Sequence, residues 1–304
     1  MVMGIETVVN PYNDPLSKGR KGLLVKSPWS LDYVEFIQKN DIKALYFNSA
    51  KGWRQSNFGF LSELNGIEEI NILCPKLDNF KAIEYIRSLE DLSVTGVVAD
   101  TVDFTLFPVL ESCYLYWWRG AESILNAPGL KQAYLDKIKL KDYGQLCNLK
   151  SVHRLTIGNS PMSSLEWLKG FEQKLSELSL LNCKKIEDFS SVSTQTELRK
   201  LAISGSPKLY DLEFLASITK LDILDLSDSG SLKSLQPLKN IKSLKAFSFA
   251  GEKTTVEDKD LSVLTTLPKL AMLMFGQRRG YSHKLIKKWD WQNFDQPDKL
   301  LESV

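Results

Sequence analysis

The stretch from Leu175 to Leu238 repeats itself, and that repetition constrains the architecture more than any single motif does. It reads LSELSLLNCKKIEDFSSV, then LRKLAISGSPKLYDLEFL, then LDILDLSDSGSLKSLQPL, with starts 23 residues apart. One template, L-x-x-L-x-[LI]-x-x-[CS]-x-x-[IL]-x-x-[FL]-x-x-[VL], holds at all seven apolar or small positions of each copy. Self-similarity at such a period marks stacked supersecondary units, none of which can bury its apolar face alone.

The opening L-x-x-L-x-L can be followed outward in both directions. Eleven rungs begin at Ile42, Ile67, Leu89, Leu110, Leu130, Val152, Leu175, Leu198, Leu221, Leu244 and Leu270. The closing L-x-L alternation is a short strand with one buried face. Successive strands lie side by side and parallel, about 4.8 Å apart, so each needs a return path. The second half of each repeat supplies it, with apolar residues three apart, as in Ile186, Phe189 and Val192. That spacing suits 3₁₀ turns or a short tight helical run. The expected fold is an α/β repeat: a solenoid with a parallel sheet on its concave face and 3₁₀ or short helical turns on its convex face. Each rung buries about six apolar side chains, worth roughly 1.5–3 kcal/mol apiece when neighbours cover both sides.

The ends depart from the template. Residues 1–41 read as an arm and cap: a polar start, a strand at Gly22–Val25, and a helix Leu31–Lys39 behind a capping Ser30. The array covers 42–279, and 280–304 form a C-terminal cap. In that cap Leu285, Ile286, Trp289, Trp291 and Phe294 are expected to close the last rung. Arg278, Arg279, Lys284, Lys287 and Lys288 make a basic patch, read as a solvated face rather than a phosphate or nucleic-acid site.

The template resembles the leucine-rich repeat in its short class of about 22 residues. It is similar to the repeats of bacterial internalins and of a eukaryotic phosphatase-regulating leucine-rich-repeat protein. The segment LKSLQPLKNI, from Leu232 to Ile241, is close to the internalin return segment. The resemblance covers Ile42 to Phe275. The family's ladder asparagine is replaced by Ser160, Cys183, Ser206 and Ser229, and by Ala50, Pro75, Val97 and Trp118 in early rungs. A less regular turn is therefore expected in the first half. Internalins carry a secretion signal and a surface anchor. Neither is apparent in this sequence, so their host-invasion role is not carried over.

Composition narrows the function. A net charge of +2 gives no global pull toward nucleic acid or anionic membrane. No apolar run approaches the roughly 20 residues of a membrane span, and no signal-peptide pattern opens the chain. Cys74, Cys113, Cys147 and Cys183 are unpaired in spacing and read as reduced core thiols, and no Asn-x-Ser/Thr acceptor occurs. These features suggest a cytoplasmic chain. Two histidines, His153 and His283, leave little for metal or triad chemistry, and no phosphate-loop, dinucleotide, zinc-protease or serine-hydrolase motif occurs. Asp225 and Asp228 read as turn carboxylates. No catalytic residue, metal or cofactor is expected.

What remains is surface. Positions 3, 5, 7 and 8 of L-x-x-L-x-L-x-x face the concave side. They place Tyr46, Glu69, Tyr114, Tyr116, Trp117, Tyr134, Asp136 and Arg154 there, with Tyr114, Tyr116, Trp117 and Tyr134 clustered on adjacent rungs. Exposed Tyr, Trp and Arg dominate interface hot spots. Two alternatives are that these aromatics pack against the early loop Lys51–Phe58, or that YLYWW slips by one residue and swaps its faces. The expected function is non-enzymatic: a monomeric protein-binding module that docks another protein on its concave face. The resemblance implies a bacterial immunity protein that neutralises a toxin, or alternatively a regulatory adaptor on a cellular enzyme.

Overall fold

The computed structural model describes residues 5–9, 11, 18–172, 174–285 and 300–303. The chain divides into two compact units, one of residues 1–138 and 148–152, the other of residues 139–147 and 153–304.

In the first unit, β1 (Ile5–Val9), β2 (Lys21–Val25), β3 (Ala44–Asn48), β4 (Glu69–Leu77), β5 (Asp91–Val98), β6 (Ser112–Tyr116) and β7 (Gln132–Asp136) lie in chain order. β1 is antiparallel to β2, and every later pair is parallel. Leu23, Leu45, Ile70, Leu92, Cys113 and Ala133 stand in register as one column. All six are buried. The expected strand at residues 22–25 is therefore part of the sheet itself. Helix α1 (Leu31–Lys39) follows it, burying Tyr33 and Ile37 while Leu31 is 74% exposed. Ser30 stands at the N-cap, but its side chain makes no capping bond.

The C-terminal parts of β4 and β5 are irregular, in keeping with the missing ladder residues. The inward place in the second rung belongs to Cys74, not Pro75: Cys74 is buried and its Sγ donates to the Phe47 carbonyl at 3.8 Å. A register shift between Leu73 and Lys76 accommodates the change. Opposite it, Gly96 has φ 155°, and a Cβ there would stand 2.1 Å from the Cys74 carbonyl oxygen. Only glycine fits that approach.

The second unit carries β8 (Arg154–Gly158), β9 (Glu177–Leu181), β10 (Lys200–Ser204), β11 (Ile223–Asp225), β12 (Ser231–Leu232), β13 (Ala246–Phe249), β14 (Thr255–Val256) and β15 (Met272–Phe275). The parallel register aligns Leu155, Leu178, Leu201, Leu224, Phe247 and Leu273. β12 and β14 form a separate parallel pair. Return segments are five-residue 3₁₀ turns at Glu166–Gly170, Ser190–Thr194, Glu213–Ser217, Gln236–Asn240 and Ser262–Thr266. Just past the strands, Asn159, Asn182, Gly205, Asp228 and Gly251 all take positive φ. Asn, Asp and Gly tolerate that conformation best. Ser160, Cys183, Ser206 and Ser229 are buried in the ladder position. Ser229 Oγ donates to the Ile203 carbonyl at 2.9 Å.

After the last rung, Tyr281 is buried, and its hydroxyl oxygen accepts the Val256 N–H at 3.1 Å. β16 (His283–Leu285) pairs antiparallel with β17 (Leu301–Ser303). Arg278 spends its guanidinium on the Gly251 and Glu252 carbonyls at 2.9 and 2.8 Å. Ile286, Trp289, Trp291, Phe294, Lys287 and Lys288 lie outside the described residues.

Two described stretches of the arm lie against the sheet. Val8 packs against a cluster of Leu24, Ala44 and Tyr46. Farther along, Lys18 and Arg20 reach the carboxylates of three successive rungs. Arg20 pairs with Glu68 (2.9 Å), Glu69 (3.4 Å), Glu90 (2.5 Å) and Asp91 (2.5 Å), and Lys18 with Glu90 (2.6 Å) and Glu111 (3.0 Å). Lys131 joins Glu111 from the other side at 2.5 Å.

Two outcomes follow. Leu224→Asp places an unpaired carboxylate in the apolar column and should cost about 4 kcal/mol or more. A thermal melt indistinguishable from wild type would contradict the register. The second concerns Glu111. Lys131 and Lys18 hold its carboxyl down at about 2, against an ordinary 4.5. Because the folded value is the lower one, this contribution to stability is complete above pH 4.5 and is lost as pH falls through about 2. A carboxyl ¹³C titration should find the Glu111 midpoint near 2, rising toward 4.5 in Lys18→Ala/Lys131→Ala. An ordinary midpoint in the unmodified chain would refute the pairing.

Candidate functional site

In β6 and β7 the alternation puts Cys113, Leu115, Ala133 and Leu135 into the core. Tyr114, Tyr116 and Tyr134 stand half-exposed on the other face. The expected register holds, so YLYWW does not slip. Trp118 is buried, as an inward residue should be, and donates its indole N–H to the Asp100 carbonyl at 2.9 Å. In the early loop, Trp53 and Phe58 turn into the core against Phe47.

Tyr114 and Tyr134 are direct cross-strand partners, with ring centroids 4.5 Å apart and planes tilted by 57°. Burial first, then the neighbouring Tyr134 and Asp136, push the Tyr114 hydroxyl up to about 12. It therefore remains a neutral hydrogen-bonding group at physiological pH. Tyr116 pairs with Asp136 in the same register. Lys137 Nζ donates to the Tyr116 hydroxyl at 2.8 Å and lies 4.7 Å from its ring centroid. Trp117 is half-buried beside them, its backbone N–H bonded to the Asp136 carbonyl at 2.8 Å. The first unit thus packs Tyr114 on Tyr134 across β6 and β7, with Tyr116 on the same face of β6 and Trp117 following it in the chain. Such residues combine large apolar area with a polar tip.

Three expected residues differ. Tyr46 is 1% exposed and Glu69 5% exposed, so neither is open on this face. Val8 packs on Tyr46, Gly22 leaves room for its ring, and its hydroxyl donates to Glu69 Oε1 at 2.8 Å. Arg20 covers Glu69 in turn. Asp136 is 7% exposed, a buried carboxylate beneath the aromatics rather than an open flank. Arg154 belongs to the second unit, where it is exposed and pairs with Glu177 at 3.0 Å.

The second unit's strand face is built from Ser179, Ala202, Asp225 and Ser248, with Ile223 and Met274 as its exposed apolar residues. Asp225 spends an oxygen on the Ser227 N–H at 2.9 Å, as a turn carboxylate does. Sequence reasoning missed Lys18 and Arg20. Their signal was a basic segment, Lys18 to Lys21, matched to acidic residues at the same two positions of successive rungs.

Other chemistry is sparse. The four cysteines form no disulfide, and Cys74, Cys113 and Cys183 are buried. Burial pushes the Cys113 thiol up to about 12 and the Cys74 thiol up to about 11, far from a reactive thiolate. Among the described residues, no three His, Cys, Asp or Glu side chains are grouped to hold a metal ion. No helix among them is long and apolar enough to cross a membrane.

No family model and no curated protein matches the sequence. Solved structures do match the fold. An internalin (inlF) from Listeria monocytogenes superposes with a TM-score of 0.62 at 16% identity, over 85% of this chain and 82% of that one. Internalin C2 (inlC2) of the same species gives a TM-score of 0.51 at 20% identity, over 64% and 84%. A leucine-rich-repeat protein of Leptospira interrogans gives 0.51 at 16%, over 80% and 74%. At these identities the likeness speaks for fold alone, and it agrees with the strand register and the 3₁₀ returns: this chain folds as a leucine-rich-repeat solenoid.

Proposed function

We propose that this chain is a non-enzymatic protein-binding module and that its partner docks on the strand face of the first unit. The observation that carries the reading is the patch of Tyr114, Tyr116, Trp117 and Tyr134. These side chains have no core to fill, yet they gather on adjacent strands and keep part of their surface in water. Tyr and Trp bury much area with few rotatable bonds, which is why they dominate interface energetics. The leucine-rich-repeat fold supports a binding role in general. A toxin-neutralising protein and an enzyme-docking adaptor would both use this surface, and the identity of the partner decides between them.

Affinity capture from the native cell, followed by an alanine scan against the captured protein, tests the reading. Tyr114→Ala, Trp117→Ala and Tyr134→Ala should each weaken binding by about 2 kcal/mol, roughly 30-fold. Unchanged affinity in all three, with melting temperatures intact, would move the site off this patch.

A further inference from the structure

The carboxylates under the arm form a row on the strand face. Glu69, Asp91 and Ser112 are successive register partners in β4, β5 and β6, so all three side chains project from the same face. Glu68, Glu90 and Glu111 precede them by one residue. A guanidinium already occupies the row. Arg20 uses its Nε on Glu68, one terminal nitrogen on Glu69 and Asp91, and the other on Glu90. A planar fork with donors in three directions can bridge carboxylates on two adjacent rungs; an ammonium, a point charge, cannot match that spread.

The fit is incomplete. Asp91 Oδ1 and Ser112 Oγ are buried with no hydrogen-bond partner among the described residues, and they stand on neighbouring strands. Both residues are more than nine-tenths buried. Arg20 reaches Asp91 only through its other oxygen. Burial raises the Asp91 carboxyl, as expected of a group whose hydrogen bonds are only partly made. One further donor–acceptor group seated here would satisfy both atoms.

We propose that this row is a binding site for an arginine-bearing segment of a protein partner, and that Arg20 and Lys18 occupy it in cis. The proposal rests on the reading of the strand face as a docking surface, and adds the chemistry of one partner element. Lys18 is the loosely held end of this segment: Lys18, Glu90 and Glu111 remain about one-third or more exposed, so their pairs are screened by water and salt, whereas the Arg20 side chain is 8% exposed and must be displaced from Glu69 and Asp91. Release of the arm also uncovers Glu69 and Asp91, extending the accessible face from the tyrosine patch toward β4. The arm then lowers the apparent affinity of any basic segment, because the row must be vacated first.

Calorimetric titration of the full chain with tetra-arginine and tetra-lysine peptides tests this. Tetra-arginine should bind Lys18→Ala/Arg20→Ala about tenfold or more tighter than wild type. Adding Asp91→Asn should abolish the gain. Equal affinity in wild type and the double variant, or tetra-lysine binding as tightly as tetra-arginine, would overturn the proposal. If the double variant does not fold, the wild-type chain gives the answer by ¹⁵N NMR. Excess tetra-arginine should shift the Arg20 Nε–H resonance to the position of a free side chain, and an unmoved resonance would refute exchange. The peptide titration involves no tyrosine, while the alanine scan is read with the captured partner, so failure of either reading is seen separately.

Discussion

The column Leu155, Leu178, Leu201, Leu224, Phe247, Leu273 shows the constraint on which everything else depends. Parallel neighbours can share backbone hydrogen bonds only if each strand is followed by a return segment. In the second unit a period near 23 residues holds a short strand and one five-residue 3₁₀ turn, joined by irregular segments. One strand face is therefore committed to packing against those turns. The opposite face is relieved of that duty, and its side chains are free to vary with function.

How that free face is used differs along the first unit. From β3 to β5 the arm covers it: Val8 lies on Tyr46, and Arg20 and Lys18 lie on the acidic row. In β6 and β7 that face carries the half-exposed Tyr114, Tyr116 and Tyr134, with Ser112 and Asp136 buried beside them. Burying carboxylates is costly unless cations and donors accompany them, which explains why Arg20 contacts four of them. The orphaned atoms of Asp91 and Ser112 mark where that compensation falls short.

Most of the architecture was legible because it is periodic. The strand positions, the 3₁₀ returns and the inward Trp118 all follow from a template that three copies define. The ladder residue of the second rung was misplaced by one because Cys74 and Pro75 sit at a register shift, and periodicity carries no information about an inserted residue. Asn159, Asn182, Gly205, Asp228 and Gly251 spell out the left-handed turn position in the second unit. The template passed over them because it tracked apolar positions alone. The burial of Tyr46 and Glu69 was not legible. It depends on a strand and one cation, Arg20, from a non-repeating arm, rather than on any local pattern.

Hydroxyl-radical footprinting, read by mass spectrometry with and without the captured partner, tests the central claim most directly. In the free chain, Tyr114, Tyr116, Trp117 and Tyr134 should be oxidised and Tyr46 spared. Tyr85, 68% exposed in a 3₁₀ turn of the same unit, is an internal reference. With partner bound, the four strand-face aromatics should be protected while Tyr85 keeps its reactivity. Protection of Tyr85 with the four left reactive would place the partner on the 3₁₀ side and contradict the account.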